Sequence, residues 1–254
     1  MSPRPKVLGV IPARYESSRF PGKPLASILG KPMIQHVYER AVRAQYVDWT
    51  AVATDDERIA RAVDTFGDAV MTGECATGTD RVAEVSARYP EYEIVLNIQG
   101  DEPLLEPAML DALAEPFFRD DAVVMTTLAE KLTDRADFMS RNVVKVVTDR
   151  EGFALYFSRA SIPGCRADDH SDPEQLSLRH VGLYGFRSDF LRTLTSLEPT
   201  PLERREGLEQ LRALENGYRI YVSVTPHSTI GVDTPEELTA AEAAMRKRMR
   251  RSGE

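Results

Sequence analysis

The chain has 254 residues, 42% of them hydrophobic, and its 32 Lys and Arg against 40 Asp and Glu give a formal charge of −8. A chain of this size buries roughly 70–75% of the surface its unfolded form exposes, so it needs no covalent staples, and its length fits one or two domains. The acid excess argues against a nucleic-acid polymer as partner, because such a partner calls for a basic face, but it leaves a small phosphorylated ligand open.

Short β-branched runs alternate with helical patterns almost from the start. Val7 to Ile11 reads as a buried strand, and Met33, Ile34, Val37, Tyr38 and Val42 recur at helical spacing. Trp49 to Thr54 is a second strand, followed by a helix around Ile59 to Phe66. A short strand at Ala69 to Met71, a helix near Arg81 to Tyr89, a strand at Ile94 to Ile98 and a helix near Met109 to Phe118 continue the alternation. Such alternation predicts an α/β fold with a mostly parallel central sheet flanked by helices.

Beyond Ala122 to Leu128 the texture changes. Val143 to Val147, Ala154 to Phe157 and Val181 to Phe186 are strand-like with short helical pieces between them, which predicts antiparallel additions, a strand-rich arm over roughly 129–187. Residues 163–177 are polar and turn-rich and read as a loop. A helix near Leu208 to Glu215, a strand at Arg219 to Val224 and a closing helix from Pro235 complete the chain. There is no internal repeat and no convincing linker, so one domain spanning 1–254 is the expectation.

Two isolated cysteines, Cys75 and Cys165, make neither a disulfide framework nor a thiolate zinc site, and a reducing, cytoplasmic setting follows. The N-terminal apolar run is shorter than a signal-peptide core. No stretch approaches the roughly 20 apolar residues of a membrane helix. The basic tail Arg246 to Arg251 suits the negative end of a C-terminal helix better than a nucleic-acid patch.

Three segments carry chemistry. The first strand runs into Pro12 and Ala13, and then Arg14, Ser17, Ser18, Arg19, Gly22 and Lys23. Ligands of open α/β sheets bind outside the carboxyl ends of strands. Three cations there suit a triphosphate, Arg as a planar fork and Lys as a point charge; the competing reading is a merely basic surface loop. In the second segment, Ile94 to Pro103, a buried strand ends in Gln99-Gly100-Asp101. Asp101 is a hard oxygen ligand suited to Mg2+, or else a turn residue or helix cap. In the third, Thr234 and Glu237 have capping-box spacing with Pro235 at the first helical position. That arrangement releases Asp233 for a ligand, unless Asp233 itself is the cap.

With five further blocks in the same order, these segments resemble the 3-deoxy-manno-octulosonate (KDO) cytidylyltransferase family, of the nucleotidyltransferase class with a Rossmann-like sheet. The resemblance runs from Val7 to about Ala243 through IPARYESSRFPGKPL, GTDR, NIQGDEP, NVVKVV, ALYFSRASIP, RHVGLYGFR, LEQLRALENGY and GVDTPEEL. It implies transfer of CMP from CTP to the anomeric hydroxyl of KDO with release of pyrophosphate and Mg2+ as cofactor. It also implies lipopolysaccharide core assembly as the pathway and a homodimer as the assembly.

Residue by residue, the resemblance assigns Arg14, Arg19 and Lys23 to the CTP phosphates and Asp101 and Asp233 to the metal. Pro12, Ala13, Thr77, Gly78, Arg81, Gln99 and Asp101 fall in its nucleotide segments with Arg14 and Lys23, and Gln99 again, with Arg159, His180, Tyr184 and Glu209, in those lining the acidic-sugar pocket. A sugar carboxylate asks for a cation such as Arg159, and hydroxyls ask for mixed donors and acceptors. Taken alone, His180 is more often a satisfied core histidine, and Tyr184 in an alternating strand is usually packing.

The family commonly has His-Pro-Ser where Cys75-Ala76-Thr77 stands, and an aromatic where Gly164-Cys165 stands. The second departure keeps a related acceptor open, such as an amino-KDO, a sialic-type acid or a phosphonate. A catalytically silent regulator on the same fold would have lost a metal or phosphate ligand, and none of the five is missing.

Overall fold

The computed structural model describes residues 4–16, 20–164 and 177–252. By its contacts the chain forms two compact units, one from the described residues of Met1–Asp111 with Ser228–Glu254 and one from Ala112–His227.

The first unit begins with β1 (Val7–Pro12), whose Val7, Leu8, Val10 and Ile11 are wholly buried. A 3-10 turn at Lys23–Leu25 leads to a small antiparallel hairpin, β2 (Ser27–Ile28) and β3 (Lys31–Pro32). Leu29 and Gly30 both take positive φ there, the backbone a two-residue hairpin turn requires. Then follow α1 (Met33–Ala41), β4 (Trp49–Thr54), α2 (Glu57–Val63), β5 (Ala69–Met71), α3 (Gly78–Arg88) and β6 (Ile94–Asn97). The helical spacing expected of α1 is realised: Met33, Ile34, Val37, Tyr38 and Ala41 are buried, whereas Val42, at its C-terminal cap, is half exposed.

All four long strands of this unit pair in parallel, in the order β6-β1-β4-β5. β1 is the first of the four along the chain and β6 the last, so successive connections leave β1 in opposite directions. A crevice at the carboxyl ends of two such strands is the usual ligand site of an open α/β sheet. Helix α3 packs against β1, β4 and β6, and it starts three residues before the expected Arg81. Thr77 caps it reciprocally: Thr77 Oγ1 accepts from the Asp80 amide, and Asp80 accepts from the Thr77 amide.

The chain passes through α4 (Pro107–Arg119) into the second unit, which contains β7 (Met125–Lys131), α5 (Arg135–Met139), β8 (Lys145–Thr148), β9 (Ala154–Ser158) and β10 (Leu178–Arg187). It continues with α6 (Ser188–Ser196), α7 (Pro201–Glu206), α8 (Leu211–Glu215) and β11 (Ile220–Val224). β11 lies parallel to β7; β10 pairs antiparallel with β7 and β8, and β8 with β9. The expected antiparallel additions are therefore present. Helix α8 begins three residues later than the sequence pattern suggests, because Gly207, at φ 63°, closes α7 and residues 208–210 form turns.

The closing helix, α9 (Pro235–Ser252), returns to the first unit, where Val232, Ala241 and Met245 join Ile28, Met33 and Leu104 in one apolar cluster. Its basic end is paired within that unit: Arg246 with Glu242, and Arg248 with Glu106 and the Leu104 carbonyl. Among the described residues no helix is long and apolar enough to cross a membrane. Of the expected loop 163–177, residues 165–176 lie outside the described residues.

Candidate active site

A cleft of about 470 Å³ opens in the first unit at the carboxyl ends of β1 and β6. Pro12, Ala13 and Arg14 line it from β1, and Gln99, Gly100 and Asp101 from β6. Lys23 enters from the 3-10 turn, Thr77, Gly78 and Arg81 from the start of α3, and Asp233 from the segment before α9. All nine residues assigned to the nucleotide from the sequence, Pro12, Ala13, Arg14, Lys23, Thr77, Gly78, Arg81, Gln99 and Asp101, thus meet in one place, together with Asp233. Arg19 lies outside the described residues.

Backbone geometry explains how the two strand ends come so near. A Cβ at Gly100 would lie 3.1 Å from the Pro12 carbonyl and 3.2 Å from Ile34, so glycine there lets the loop after β6 lie against the end of β1. Gly22, at φ 71°, turns the chain into Lys23 while its amide donates to the Tyr15 carbonyl. The Tyr15 ring is covered by the Arg58 guanidinium 3.3 Å above its centre, and Asp56 holds that guanidinium in turn.

The charged centre of the cleft is a shared cation position. Lys23 Nζ donates to Asp101 Oδ2 at 2.7 Å and to Asp233 Oδ1 at 2.9 Å. Burial, the largest influence, pushes the Lys23 ammonium down, but Asp101 and Asp233 together outweigh it and raise its pKa above the ordinary value. It therefore stays charged across the physiological range. The cap at α9 settles which residue is committed to the helix. Thr234 Oγ1 accepts from the Glu237 amide, and the Glu237 carboxylate accepts from the amides of Thr234 and Asp233. The Asp233 carboxylate is left to face Lys23. The Val232 amide, donating to the Asp101 carbonyl at 2.9 Å, fastens the two acidic segments together.

Arg81 lines the cleft, yet its guanidinium is spent inside the unit. It donates to Asp55 Oδ2 at 2.7 Å, to Thr72 Oγ1 and to the Gly73 carbonyl, and the residue is 4% exposed. Asp55 is a partner the sequence did not single out; it directly follows β4, at the same carboxyl edge of the sheet as Pro12 and Gln99.

The second unit contains a pocket of about 360 Å³ lined by Asn142, Val143 and Val144, by Arg179, His180, Gly182 and Tyr184 of β10, and by residues 207–210. His180, Tyr184 and Glu209 come together here as the sequence suggested, whereas Gln99 lines the cleft of the first unit. Arg159 anchors the surroundings: its Nε and Nη1 donate to the carbonyls of Glu206 and Arg141, neighbours of lining residues Gly207 and Asn142.

Both aromatic polar groups here are held neutral. Burial drives the His180 imidazole down to about 3. Burial first, and the Glu209 carboxylate second, push the Tyr184 phenol far above its ordinary value. The hydrogen bonds fix the imidazole tautomer: the Thr127 hydroxyl gives its one proton to the Leu183 carbonyl at 2.8 Å, so its oxygen accepts from His180 Nε2 at 2.9 Å. Nε2 carries the hydrogen and Nδ1 is the acceptor. Both residues flank a break in the β10–β7 register between Val181 and Tyr184, an irregularity often found beside functional sites.

Residues 8–220 match the family model described as cytidylyltransferase. The 3-deoxy-manno-octulosonate cytidylyltransferase of Syntrophotalea carbinolica is 55% identical over 247 residues, covering 94% of this chain and 98% of its own. The enzyme of the same name from Geobacter metallireducens is 54% identical, covering 92% and 95%. A solved CMP:2-keto-3-deoxy-manno-octonic acid synthetase complexed with CTP superposes with a TM-score of 0.90 at 42% identity, covering 96% of this chain and 99% of its own. At 15% identity and a TM-score of 0.62, a 4-diphosphocytidyl-2C-methyl-D-erythritol synthase from Anaerococcus prevotii shares the fold. The fold and the cleft at its switch point are those of the nucleotidyltransferase class. The chain belongs to the 3-deoxy-manno-octulosonate cytidylyltransferase family.

Proposed function

We propose that this protein transfers CMP from CTP to the anomeric hydroxyl of 3-deoxy-D-manno-octulosonate, with the cleft of the first unit holding the nucleotide and the pocket of the second holding the sugar acid. The observation that carries the reading is the convergence of Arg14, Lys23, Asp101 and Asp233 on one cleft at the strand switch point, supported by the CTP-bound relative. The sugar hydroxyl attacks the α-phosphorus, a new P–O bond forms as the bond to the β-phosphate breaks, and the hydroxyl proton is lost while pyrophosphate leaves. Positioning and charge stabilisation supply the catalysis.

In this reading Arg14, Lys23 and Arg19 neutralise the phosphates. Gly78 starts α3 at the wall of the cleft, and Gln99 offers an amide with both donor and acceptor. Arg81, tied to Asp55, acts by shaping the wall. In the second pocket, neutral His180 presents an acceptor at Nδ1, Tyr184 a phenol that keeps its proton, and Glu209 an acceptor. These suit the hydroxyls of a sugar acid, and Arg159 offers the cation that suits its carboxylate.

The residues present fit Mg2+. Lys23 Nζ already occupies one cation position between single oxygens of Asp101 and Asp233, and both are hard carboxylate donors. Mg2+ commonly takes one or two carboxylates and completes its shell with phosphate oxygens and water, which two aspartates facing one cleft can satisfy. Bound by Asp101 and Asp233, Mg2+ would supply Lewis-acid polarisation of the phosphates and of the attacking hydroxyl. A cytoplasmic homodimer serving lipopolysaccharide core assembly completes the proposal.

The test is pyrophosphate release from CTP with a panel of acidic acceptors, with and without Mg2+. The expected result is release with KDO that requires Mg2+. Faster turnover of an amino-KDO, a sialic-type acid or a phosphonate would reassign the acceptor.

A further inference from the structure

Two walls of the second-unit pocket are loops, residues 142–144 and 207–210, and both are fastened to Arg159, which directly follows β9, the second also to Ser158 at its end. On one side stands Lys145, wholly buried. Its Nζ donates to the carbonyls of Ser140 and Val143, each at 2.6 Å, and of Arg159 at 2.9 Å. Three protons meet three acceptors, and each acceptor belongs to the 140–144 loop or to the strand end it lies against. On the other side Glu206 accepts from Ser158 Oγ at 2.7 Å and from the Arg159 amide at 3.0 Å. The Glu206 carbonyl accepts from Arg159 Nε at 2.8 Å. Glu206 immediately precedes the Gly207 to Gln210 wall.

We infer that Lys145 and Glu206 are positioning residues for the sugar acid, a two-sided clamp on Ser158–Arg159 that sets the spacing of the two loop walls and the aim of the Arg159 guanidinium. Neither lines the pocket itself. The inference rests on the reading of that pocket as the acceptor site. The clamp's chemistry explains the choice of groups. Burial lowers the Lys145 pKa, and the Glu206 carboxylate counters that effect, so the acid stabilises the buried cation and fastens the strand end at once. Neutral replacement of Lys145 would leave three carbonyls competing for partners, and the 140–144 loop would keep only the Arg159 Nη1 bond to the Arg141 carbonyl as its tether to Arg159.

The test is steady-state kinetics on the full chain carrying Lys145→Met, Glu206→Gln or Ser158→Ala, with Tyr184→Phe as a pocket-lining reference. The expected result is a rise in acceptor KM of about tenfold or more for Lys145→Met and a few-fold for the others, with CTP KM held within about twofold and kcat at saturation less affected. If Lys145→Met fails to fold, Glu206→Gln and Ser158→Ala decide by the same split. The clamp is overturned if Tyr184→Phe raises acceptor KM while the clamp variants leave it unchanged, or if they raise both KM values together. If no variant, Tyr184→Phe included, moves acceptor KM, the acceptor reading falls and the clamp with it.

Discussion

The two sites solve different problems of charge. In the first-unit cleft, full charges meet in partial contact with water: Lys23, 13% exposed in its side chain, spans Asp101 and Asp233, which are 30% and 42% exposed. In the second-unit pocket the two ring side chains lining it, His180 and Tyr184, are held uncharged by burial, and the buried cation behind it, Lys145, is turned onto backbone carbonyls. On the proposed assignment, a polyanion with its counter-ion needs charges that can exchange partners, while a polyhydroxylated acid needs fixed donors and acceptors whose protonation does not drift. The same fold supplies both by varying depth.

The largest expected effect tests the charged side of this contrast. Asp101→Asn and Asp233→Asn each remove a full charge and a hard ligand with little change in shape, so kcat should fall on the order of 10³-fold, corresponding to several kcal/mol of lost transition-state stabilisation. Thermal melting should show the fold intact. Near-normal turnover by both variants at saturating Mg2+ and CTP would remove the acid pair from the chemistry.

The neutral side is tested by acid. The folded-state imidazole of His180 has its pKa depressed from 6.5 to about 3, so below pH 6.5 the unfolded chain takes up a proton that the folded chain refuses. Its contribution to stability is therefore lost as pH falls through that window, by at most about 1.4 kcal/mol per pH unit. His180→Asn keeps a donor for Thr127 and has no proton to take up. Denaturant melts between pH 6.5 and 4 should show a shallower decline for the variant than for the wild type, and parallel slopes would mean the wild-type imidazole is hydrated.

A smaller effect separates helix capping from ligand binding at the third segment. Thr234→Ala removes the Oγ1 that accepts from the Glu237 amide and should cost about 1 kcal/mol of stability, seen as a Tm lower by roughly 2–4 °C for a chain of this size. Asp233→Asn should leave Tm almost unchanged. If instead Asp233→Asn lowers Tm as much as Thr234→Ala does, Asp233 is a structural residue.

Much of the first unit could be read in advance because its determinants are local. Trp49–Thr54 and Ala69–Met71 are strands with the expected bounds, since continuous β-branched and small apolar runs suit a sheet covered on both faces. The Thr234 cap follows from a three-residue spacing. What escaped notice depends on partners far along the chain. Nothing near Lys23 reveals that its ammonium spans acids 78 and 210 residues away. Lys145, flanked by valines in NVVKVV, has the look of an outward polar position in a strand, and the carbonyls at 140, 143 and 159, with the Glu206 carboxylate nearby, make its burial tolerable. Arg81 likewise reads as a ligand contact until Asp55 is placed beside it. In the second unit, α5 and α7 are too short for periodicity to register.

The first unit is discontinuous in the chain, completed only by the segment that follows His227. Asp233 and the apolar residues Val232, Ala241 and Met245, which finish the cluster around Met33, are synthesised after β1, β4 and β6. During translation the parallel sheet can form early, but its cleft lacks one of the two acids and the unit lacks half of a core cluster until α9 arrives. The cleft's acid pair and its apolar support are thus assembled only once the segment after His227 is in place.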